Sequence, residues 1–473
     1  MSAPARSIES LSPFRRSSEV HESVEAVVTG APPEWLRGEL LRTCPAVFEQ
    51  GRWQARHWFD GLGLIYAFRI GASSVRFQSR LLDSQAAQEI AGGRARMSSF
   101  ATPTGRSLLQ RIVQPVQRSS DNTNVNILKM GDDLVALTEG AQQLRIDPQS
   151  LHSLGAVPYA RDDELAGTLM GAHPHFDFAR EQVLNIATKF GTTAVVSVYE
   201  HGVSERTRWL VGSWRTERVP YMHSFGLTPR HAILVAHPFA VRTLDMLWSN
   251  RGYIDHFDWR AQDGTRLIVM DRATGGTRQY EADPMFVFHT VNAFERDGDT
   301  VLDALAYPSA DIMDELRVCR MVERLPDLRP SFVRITMHPG RQRATVETLS
   351  DAGFEFPSTN YRKSTGSDDG FAWGAADGPQ ANGSYASAIV KVDVRTGSSS
   401  AFSDGDRIYG EPVFVARPGA SDEDDGVLLT VGTGQRSESS ALAIIDAKTM
   451  RLVASAEVPG AIPLGFHGSF VRA

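Results

Sequence analysis

The sequence predicts an all-β chain, an array of antiparallel sheets, on three observations. One hairpin device recurs four times, an apolar strand ending in Asp-x-x-Thr/Ser: Asp147 to Ser150, Asp271 to Thr274, Asp393 to Thr396 and Asp446 to Thr449. An aspartate there accepts hydrogen bonds from backbone N–H groups two or three residues on, and Gly275 and Gly397 follow where positive φ is wanted. The copies are irregularly spaced, so the connecting loops differ in length. Strand and turn signals also follow one another closely from about residue 32, and helical spacing stands out at one stretch, 311–324.

Taken in order, residues 1–20 are rich in Ser, Arg and Pro with little periodicity and read as a flexible arm. Pro32-Pro-Glu-Trp-Leu-Arg-Gly-Glu-Leu-Leu-Arg42 places a turn before a strand. His57-Trp-Phe-Asp-Gly-Leu-Gly-Leu-Ile-Tyr-Ala-Phe-Arg69 reads as two strands joined at Asp60-Gly61. At 311–324, Ile312, Met313, Leu316, Cys319 and Met321 fall near one face, which predicts one amphipathic packing helix. The Gly/Ser/Asp-dense stretch 364–384 and the acidic 419–426 read as solvated connections. Strands continue on both sides of each, so 21–473 is expected to form a single domain.

Bulk properties exclude several classes. A chain of 473 residues, 42% apolar, can bury a large core. Its net charge of -7 and pI near 6.0, with no Lys/Arg stripe, argue against nucleic acid as a partner. Cys44 and Cys319 are the only cysteines and form no CxxC, which fits a reducing cytoplasm and supports neither a disulfide framework nor a thiolate metal site. The N-terminus lacks an apolar signal region and no stretch approaches the ~20 apolar residues that span a bilayer, so membrane contact is expected to be peripheral. Gly61-x-Gly63 and Gly432-x-Gly434 lack the third glycine of a dinucleotide loop, and Walker, HExxH and GxSxG motifs are absent.

Chemistry concentrates on histidine. His173 and His175 flank a proline in Gly-Ala-His-Pro-His-Phe-Asp; His223, His289 and His467 each sit in a short apolar setting. A set of four neutral imidazoles suits a divalent transition metal, Fe, Zn, Cu or Ni, better than Mg or Ca. The bland alternative is that each is a hydrogen-bonded structural histidine. A ligating imidazole donates its other N–H to an acceptor, and Glu139, Glu355 and Glu411 lie in apolar, strand-like stretches where an unpaired carboxylate is costly. Equally, each could face solvent at a strand end.

The segments Ala-His173-Pro-His-Phe-Asp, Tyr-Met-His223-Ser-Phe-Gly-Leu-Thr-Pro, Phe-His289-Thr-Val-Asn-Ala-Phe-Glu and Gly-Phe-His467-Gly-Ser-Phe resemble the iron-binding segments of the carotenoid cleavage oxygenases. Asp121-Asn-Thr-Asn-Val-Asn, Phe354-Glu-Phe-Pro-Ser-Thr-Asn-Tyr and Glu411-Pro-Val-Phe-Val further resemble the branch of animal-type carotene oxygenases and the visual-cycle retinoid isomerohydrolase. The resemblance runs in order from about residue 30 onward. It implies a seven-bladed β-propeller with a helical and loop dome over the metal-bearing face, Fe(2+) held by His173, His223, His289 and His467, and Glu139, Glu355 and Glu411 as acceptors behind three of them. It makes His175 a helper at most and places Val125 near the open coordination position. Arg42-Thr-Cys-Pro departs from the usual Arg-Asn-Gly-Pro, and 364–384 does not match the Tyr-rich equivalent.

The function so implied is cleavage of one conjugated double bond of a carotenoid or apocarotenoid by O2 to two carbonyl products, retinal among the candidates. No acid or base side chain is assigned. Phe239 to Trp248 could supply an apolar patch at the tunnel mouth or pack within the dome. The rivals are cleavage of a stilbene-like phenylpropanoid, ester cleavage with polyene isomerisation, and a non-catalytic carotenoid-binding propeller.

Overall fold

The computed structural model describes residues 8, 11, 14, 21–160, 164–368, 370–377, 385–435 and 439–473. Among them the chain is mainly β with a few short helices, in nine sheets, seven of which have four or more strands. We number those seven by their place along the chain. Sheet 1 joins Val24–Glu25, Gly38–Val47, Leu62–Ile70, Val75–Leu81 and Gly468–Arg472; sheet 2 runs from Asn126 to Ala156, sheet 3 from Leu169 to Thr216 and sheet 4 from Gly226 to Ala282. Sheet 5 runs from Phe286 to Ser350, sheet 6 from Phe354 to Phe402, and sheet 7 from Arg407 to Pro459 with Val27–Gly30 added at its edge.

The repeated aspartates act as expected. Asp147 Oδ1 accepts from Ser150 N and Oγ (2.7 and 2.6 Å), Asp271 from Thr274 N and Oγ1 (both 2.9 Å), Asp393 from Thr396 N (3.1 Å), and Asp446 from Thr449 N and Oγ1 (both 2.7 Å). Each turn links two paired antiparallel strands, and Gly275 and Gly397 both take φ +71°.

Apolar side chains are buried between successive sheets. Leu41 and Ile65 of sheet 1 pack with Ile127 and Ala136 of sheet 2, and Val196 and Trp214 of sheet 3 with Leu234 and Ile268 of sheet 4. The series continues with Val235 and Leu267 against Leu302 and Ile335, and Leu305 and Phe332 against Phe354 and Val390. Trp373 and Ile389 of sheet 6 meet Leu428 and Ala443 of sheet 7, and Leu429 and Leu442 of sheet 7 meet Leu40 and Tyr66 of sheet 1. Each fully buried aliphatic or aromatic side chain contributes roughly 1.5–3 kcal/mol.

Three local expectations are corrected. Asp60-Gly61 is not a hairpin turn: Trp58–Asp60 is a short 3-10 turn capped by His57, and the following strand pairs with Gly38–Val47 and Val75–Leu81. Asp60 is buried and accepts from His57 N (3.2 Å), Ala101 N (3.1 Å) and Thr102 Oγ1 (2.7 Å), so it holds two loops together instead of capping a turn at the surface. The stretch 311–324 forms two single turns, Ile312–Glu315 and Val318–Met321. Leu316 O accepts from Trp58 N (3.0 Å) and Val318 N donates to Arg56 O (2.9 Å), which draws Arg317 into extended backbone and interrupts the helix. Cys319, expected on the buried face, is exposed. The connection expected at 364–384 contains a strand, Phe371–Ala376, that buries Trp373; residues 369 and 378–384 lie outside the described set.

Of residues 1–20, Ile8, Leu11 and Phe14 are described, and Ile8 and Phe14 are buried, Phe14 edge-on to Phe48 and Trp58. Among the described residues, no helix is long and apolar enough to cross a membrane.

Candidate metal centre

His173 lies between the strands Leu169–Met170 and His175–Asp177, His223 just before Gly226–Leu227, and His467 just before Gly468–Arg472. His289 sits inside the long strand Phe286–Arg296, where the register with its neighbour slips between Val287 and Thr290. Such a bulge re-aims a side chain out of the ladder. The four rings converge: one nitrogen from each lies within 4.8 Å of the others, with His173 Nε2 2.8 Å from His223 Nε2 and His289 Nε2 3.2 Å from His467 Nε2.

Behind them stand the three expected glutamates. Glu139 pairs with His223 Nδ1 and also accepts from the Tyr221 hydroxyl (3.1 Å); Glu355 Oε2 meets His289 Nδ1 at 2.6 Å; Glu411 Oε1 meets His467 Nδ1 at 2.8 Å. Each of the seven large sheets thus supplies one residue of this constellation: Glu139 follows a strand of sheet 2, and sheets 3, 4, 5, 6, 7 and 1 bring His173, His223, His289, Glu355, Glu411 and His467. Phe356, next to Glu355, takes φ +55° within a second register slip, between Glu355 and Ser358. Left-handed backbone at a bulky residue is strained and persists where its surroundings over-determine it.

The tautomers test whether a metal fits. A carboxylate only accepts, so with Glu355 and Glu411 ionised the protons of His289 and His467 reside on Nδ1 and their Nε2 atoms face each other as bare lone pairs 3.2 Å apart. Two lone pairs at that distance repel, and a shared cation removes the repulsion. The donor set therefore fits a divalent transition metal with nitrogen preference. Burial, with the neighbouring imidazoles adding to it, holds His173 and His467 well below the ordinary imidazole pKa. Burial pushes Glu411 up to about 7 against the opposing pull of Arg42.

Not all named residues join the centre. Both ring nitrogens of His175 are engaged elsewhere, Nε2 with Phe225 O (2.7 Å) and Nδ1 with the Tyr361 hydroxyl (2.9 Å). The carbonyl of Val125 accepts from His467 N (3.1 Å), and its side chain lines the adjoining cavity. Arg42, noted in the sequence only as part of a variant turn, is fully buried and donates to Glu411 O (2.7 Å) and Phe466 O (2.8 Å), fixing both arms that carry Glu411 and His467. An arginine within an otherwise apolar strand was the available signal.

The centre opens on a cavity of about 460 Å³. Its lining is largely aromatic and aliphatic, including Trp58, Phe59, Phe100, Phe288, Phe356 and Phe466. A second cavity of about 20 Å³ touches Glu355, whose Oε1 is buried without a partner; the space suits one water molecule. Beside the large cavity lies an apolar surface that sequence reasoning found only in part. Of Phe239 to Trp248, Phe239 and Val241 are buried, Met246 and Leu247 line the cavity, and Leu244 and Trp248 are exposed. A short helix, Leu108–Val113, adds exposed Leu108, Leu109, Ile112 and Val113, and Trp248 N donates to Pro115 O (3.1 Å), joining the two segments. The box between Ser107 and Gln110 marked that helix in the sequence.

These features coincide with a known family. The chain belongs to the carotenoid cleavage oxygenases, matching over residues 14–472 the family described as RPE65, retinal pigment epithelial membrane protein. Among individual relatives, the carotenoid isomerooxygenase of Galleria mellonella is 27% identical, the alignment covering 96% of this chain and 94% of that one. The β,β-carotene 15,15'-dioxygenase of Homo sapiens is 29% identical with 97% and 94% covered. In three dimensions, a Glu150Gln mutant of the Synechocystis apocarotenoid oxygenase superposes with a TM-score of 0.86 at 24% identity, each chain fully covered, which establishes the shared fold.

Proposed function

We propose that the protein is an Fe(II)-dependent dioxygenase that cleaves one conjugated double bond of a carotenoid or apocarotenoid, each former alkene carbon taking one atom of O2 to give two aldehyde or ketone products. The observation that carries this reading is the convergence of four imidazoles beside an apolar cavity of about 460 Å³, within the size range of small-molecule sites. The names of the relatives support it. His173, His223, His289 and His467 would hold the ion, with Glu139, Glu355 and Glu411 fixing the tautomers of three of them. When bound, ferrous iron supplies the means of activating dioxygen against an electron-rich polyene.

The chain's own residues bind, orient and shield. Phe59, Phe100, Phe288, Phe356 and Phe466 exclude water and fit the flat faces of a conjugated chain. Val125 would crowd the open side of the ion, and the depth of the cavity would select the bond. No side-chain acid or base is assigned, because insertion of both atoms of O2 into the double bond moves no proton. We further propose that the seven sheets are the blades of one propeller under a dome of loops and short helices; the pairwise packing of consecutive sheets, including sheet 7 on sheet 1, supports this. The exposed patch of Leu108, Leu109, Ile112, Val113, Leu244 and Trp248 beside the cavity supports peripheral membrane contact through which an apolar substrate would arrive.

Iron-loaded protein should be given β-carotene, an apocarotenal and resveratrol separately under 18O2. Labelled aldehydes from a carotenoid substrate are expected. Label in products of resveratrol alone would move the reading to a stilbene-cleaving enzyme, and no labelled aldehyde from any of the three would sink the oxygenase reading.

A further inference from the structure

The cavity lining is chemically unequal. One stretch is aromatic: Trp58, Phe356 and Phe466 cluster by the histidines, with ring centroids 4.6 Å apart for Trp58 and Phe466 and 5.5 Å for Phe356 and His467. A different stretch is polar and is built from strands and loops stitched side by side. Ser98 bridges to Ser119, Ser120 N donates to Ser98 O (3.1 Å), and Ala141 N donates to Ser119 Oγ (3.3 Å). Gly140 bridges in turn to Met170, Leu169 pairs with Thr188 next to Lys189, and Gly191 N donates to Thr243 Oγ1 (3.3 Å). The cavity wall carried by these links includes Ser98, Ser99, Ser119, Ser120, Lys189 and Thr243.

Lys189 is the cation of this wall. It is exposed, yet it lines the cavity, so it stands where the cavity meets solvent. Its backbone is paired with Val195, but its ammonium has no hydrogen-bond or ion-pair partner among the described residues. The other acids and bases of the lining are engaged: Asp60 with Thr102, Glu139 with His223, Glu355 with His289, and His256 with Ser249 Oγ (2.9 Å). The hydroxyls of Ser98 and Ser119 already donate to Ser99 O and Ser120 O (3.5 and 3.3 Å), so the Lys189 ammonium is the donor of this wall that a hydrocarbon terminus would leave without a partner from protein or ligand.

We propose that Lys189 and the neighbouring hydroxyls receive the oxygen-bearing end of an asymmetric polyene, an alcohol, aldehyde or carboxylate terminus, while its hydrocarbon end lies among the aromatic rings. This rests on the carotenoid-oxygenase reading and narrows it to substrates oxygenated at one end. Lys189 is then a specificity-determining residue, acting on binding and orientation.

The test uses the full chain freed of metal with a chelator, so that binding is read without turnover. Dissociation constants of an apocarotenal and of a hydrocarbon polyene of equal conjugated length are measured by tryptophan quenching, for the parent protein and for Lys189→Met. The parent is expected to bind the apocarotenal about tenfold more tightly, the lower end of what a hydrogen bond to a charged donor provides for a group in contact with solvent. Lys189→Met should erase most of that difference and leave the hydrocarbon constant unchanged; with iron restored, it should raise KM for the apocarotenal and spare kcat. Equal affinity of the parent for both polyenes, or equal effects of the substitution on both, overturns the proposal. Reduced binding of Lys189→Met to phosphatidylglycerol vesicles with unchanged polyene discrimination also overturns it, assigning the lysine to the membrane surface. The oxygenase reading is judged apart, by the labelled products of iron-loaded protein.

Discussion

At the scale of single residues, the histidine pair around Pro174 separates cleanly. His173→Ala removes one of four converging nitrogens and is expected to abolish iron retention, whereas His175→Ala should leave iron occupancy near that of the parent; metal analysis of the purified variants checks both. Glu355→Gln keeps an acceptor for His289 but removes its charge, and metal affinity is expected to drop about 10- to 100-fold in competition with a chelator. The four histidines and three glutamates of this centre were named in the sequence through the resemblance of their segments to a known family; taken alone, each histidine read as well as a structural residue and each glutamate as a solvent-facing strand end. Arg42 and Tyr221 were less legible. Their roles depend on distances across the fold, Arg42 reaching carbonyls 369 and 424 positions away, and no local pattern encodes such a span.

At the scale of elements, the loops over the cavity are held by backbone pairing together with side-chain bonds such as Arg106 Nη2 to Ser249 O (2.6 Å) and Asn250 Nδ2 to Arg106 O (2.8 Å). Tyr253 N donates to Ser99 O (3.1 Å), Ile254 N to Phe100 O (2.8 Å) and Thr104 N to Asn250 O (2.9 Å). Gly252 makes this approach possible: a Cβ there would lie 2.3 Å from Ala101 C. Gly252→Ala is expected to destabilise by about 1–3 kcal/mol, seen as a lower midpoint in urea, and to weaken polyene binding because both loops line the cavity. Turn chemistry carried the sequence reading well at Asp147, Asp271, Asp393 and Asp446, where the hydrogen bonds are local. It failed at Asp60-Gly61, as helical spacing failed at 311–324; there contacts to Thr102 and to the backbone of Arg56 and Trp58 override the nearby preference. Long-range pairing decided both.

At the scale of the whole molecule, stability should depend on acid in a way set outside the metal centre. Burial lowers His57 and His237 to about 3, with Arg317 also opposing a charge on His57. Their folded pKa values lie below the unfolded one near 6.5, so the unfolded chain binds more protons between those limits. Stability is therefore full above about pH 6.5 and falls as pH drops toward 3. Asp60, raised to about 6 by burial, acts in the opposite sense between its unfolded value near 3.8 and 6, offsetting one of the two histidines there. Together these three groups contribute a slope of roughly 1.4 kcal/mol per pH unit between pH 4 and 6 and a shallower one above, where the unfolded histidines lose their protons; a lower urea midpoint at pH 4 than at pH 6.5 for metal-free protein checks the sign. Metal at a hundredfold excess over its dissociation constant should add about 2.7 kcal/mol, raising the thermal midpoint, and His289→Ala should remove that increment.

The supply of one centre residue by each large sheet also bears on descent. A sheet exchanged between relatives has to deliver a single correct side chain to the middle, while its outer strands, turns and charges are free to diverge. Recombination can then reshuffle whole sheets with the chemistry intact, provided each incoming unit brings its one histidine or glutamate to the same point. The cavity wall that holds Ser98, Lys189 and Thr243 lies apart from the seven centre residues, so it can drift separately from them.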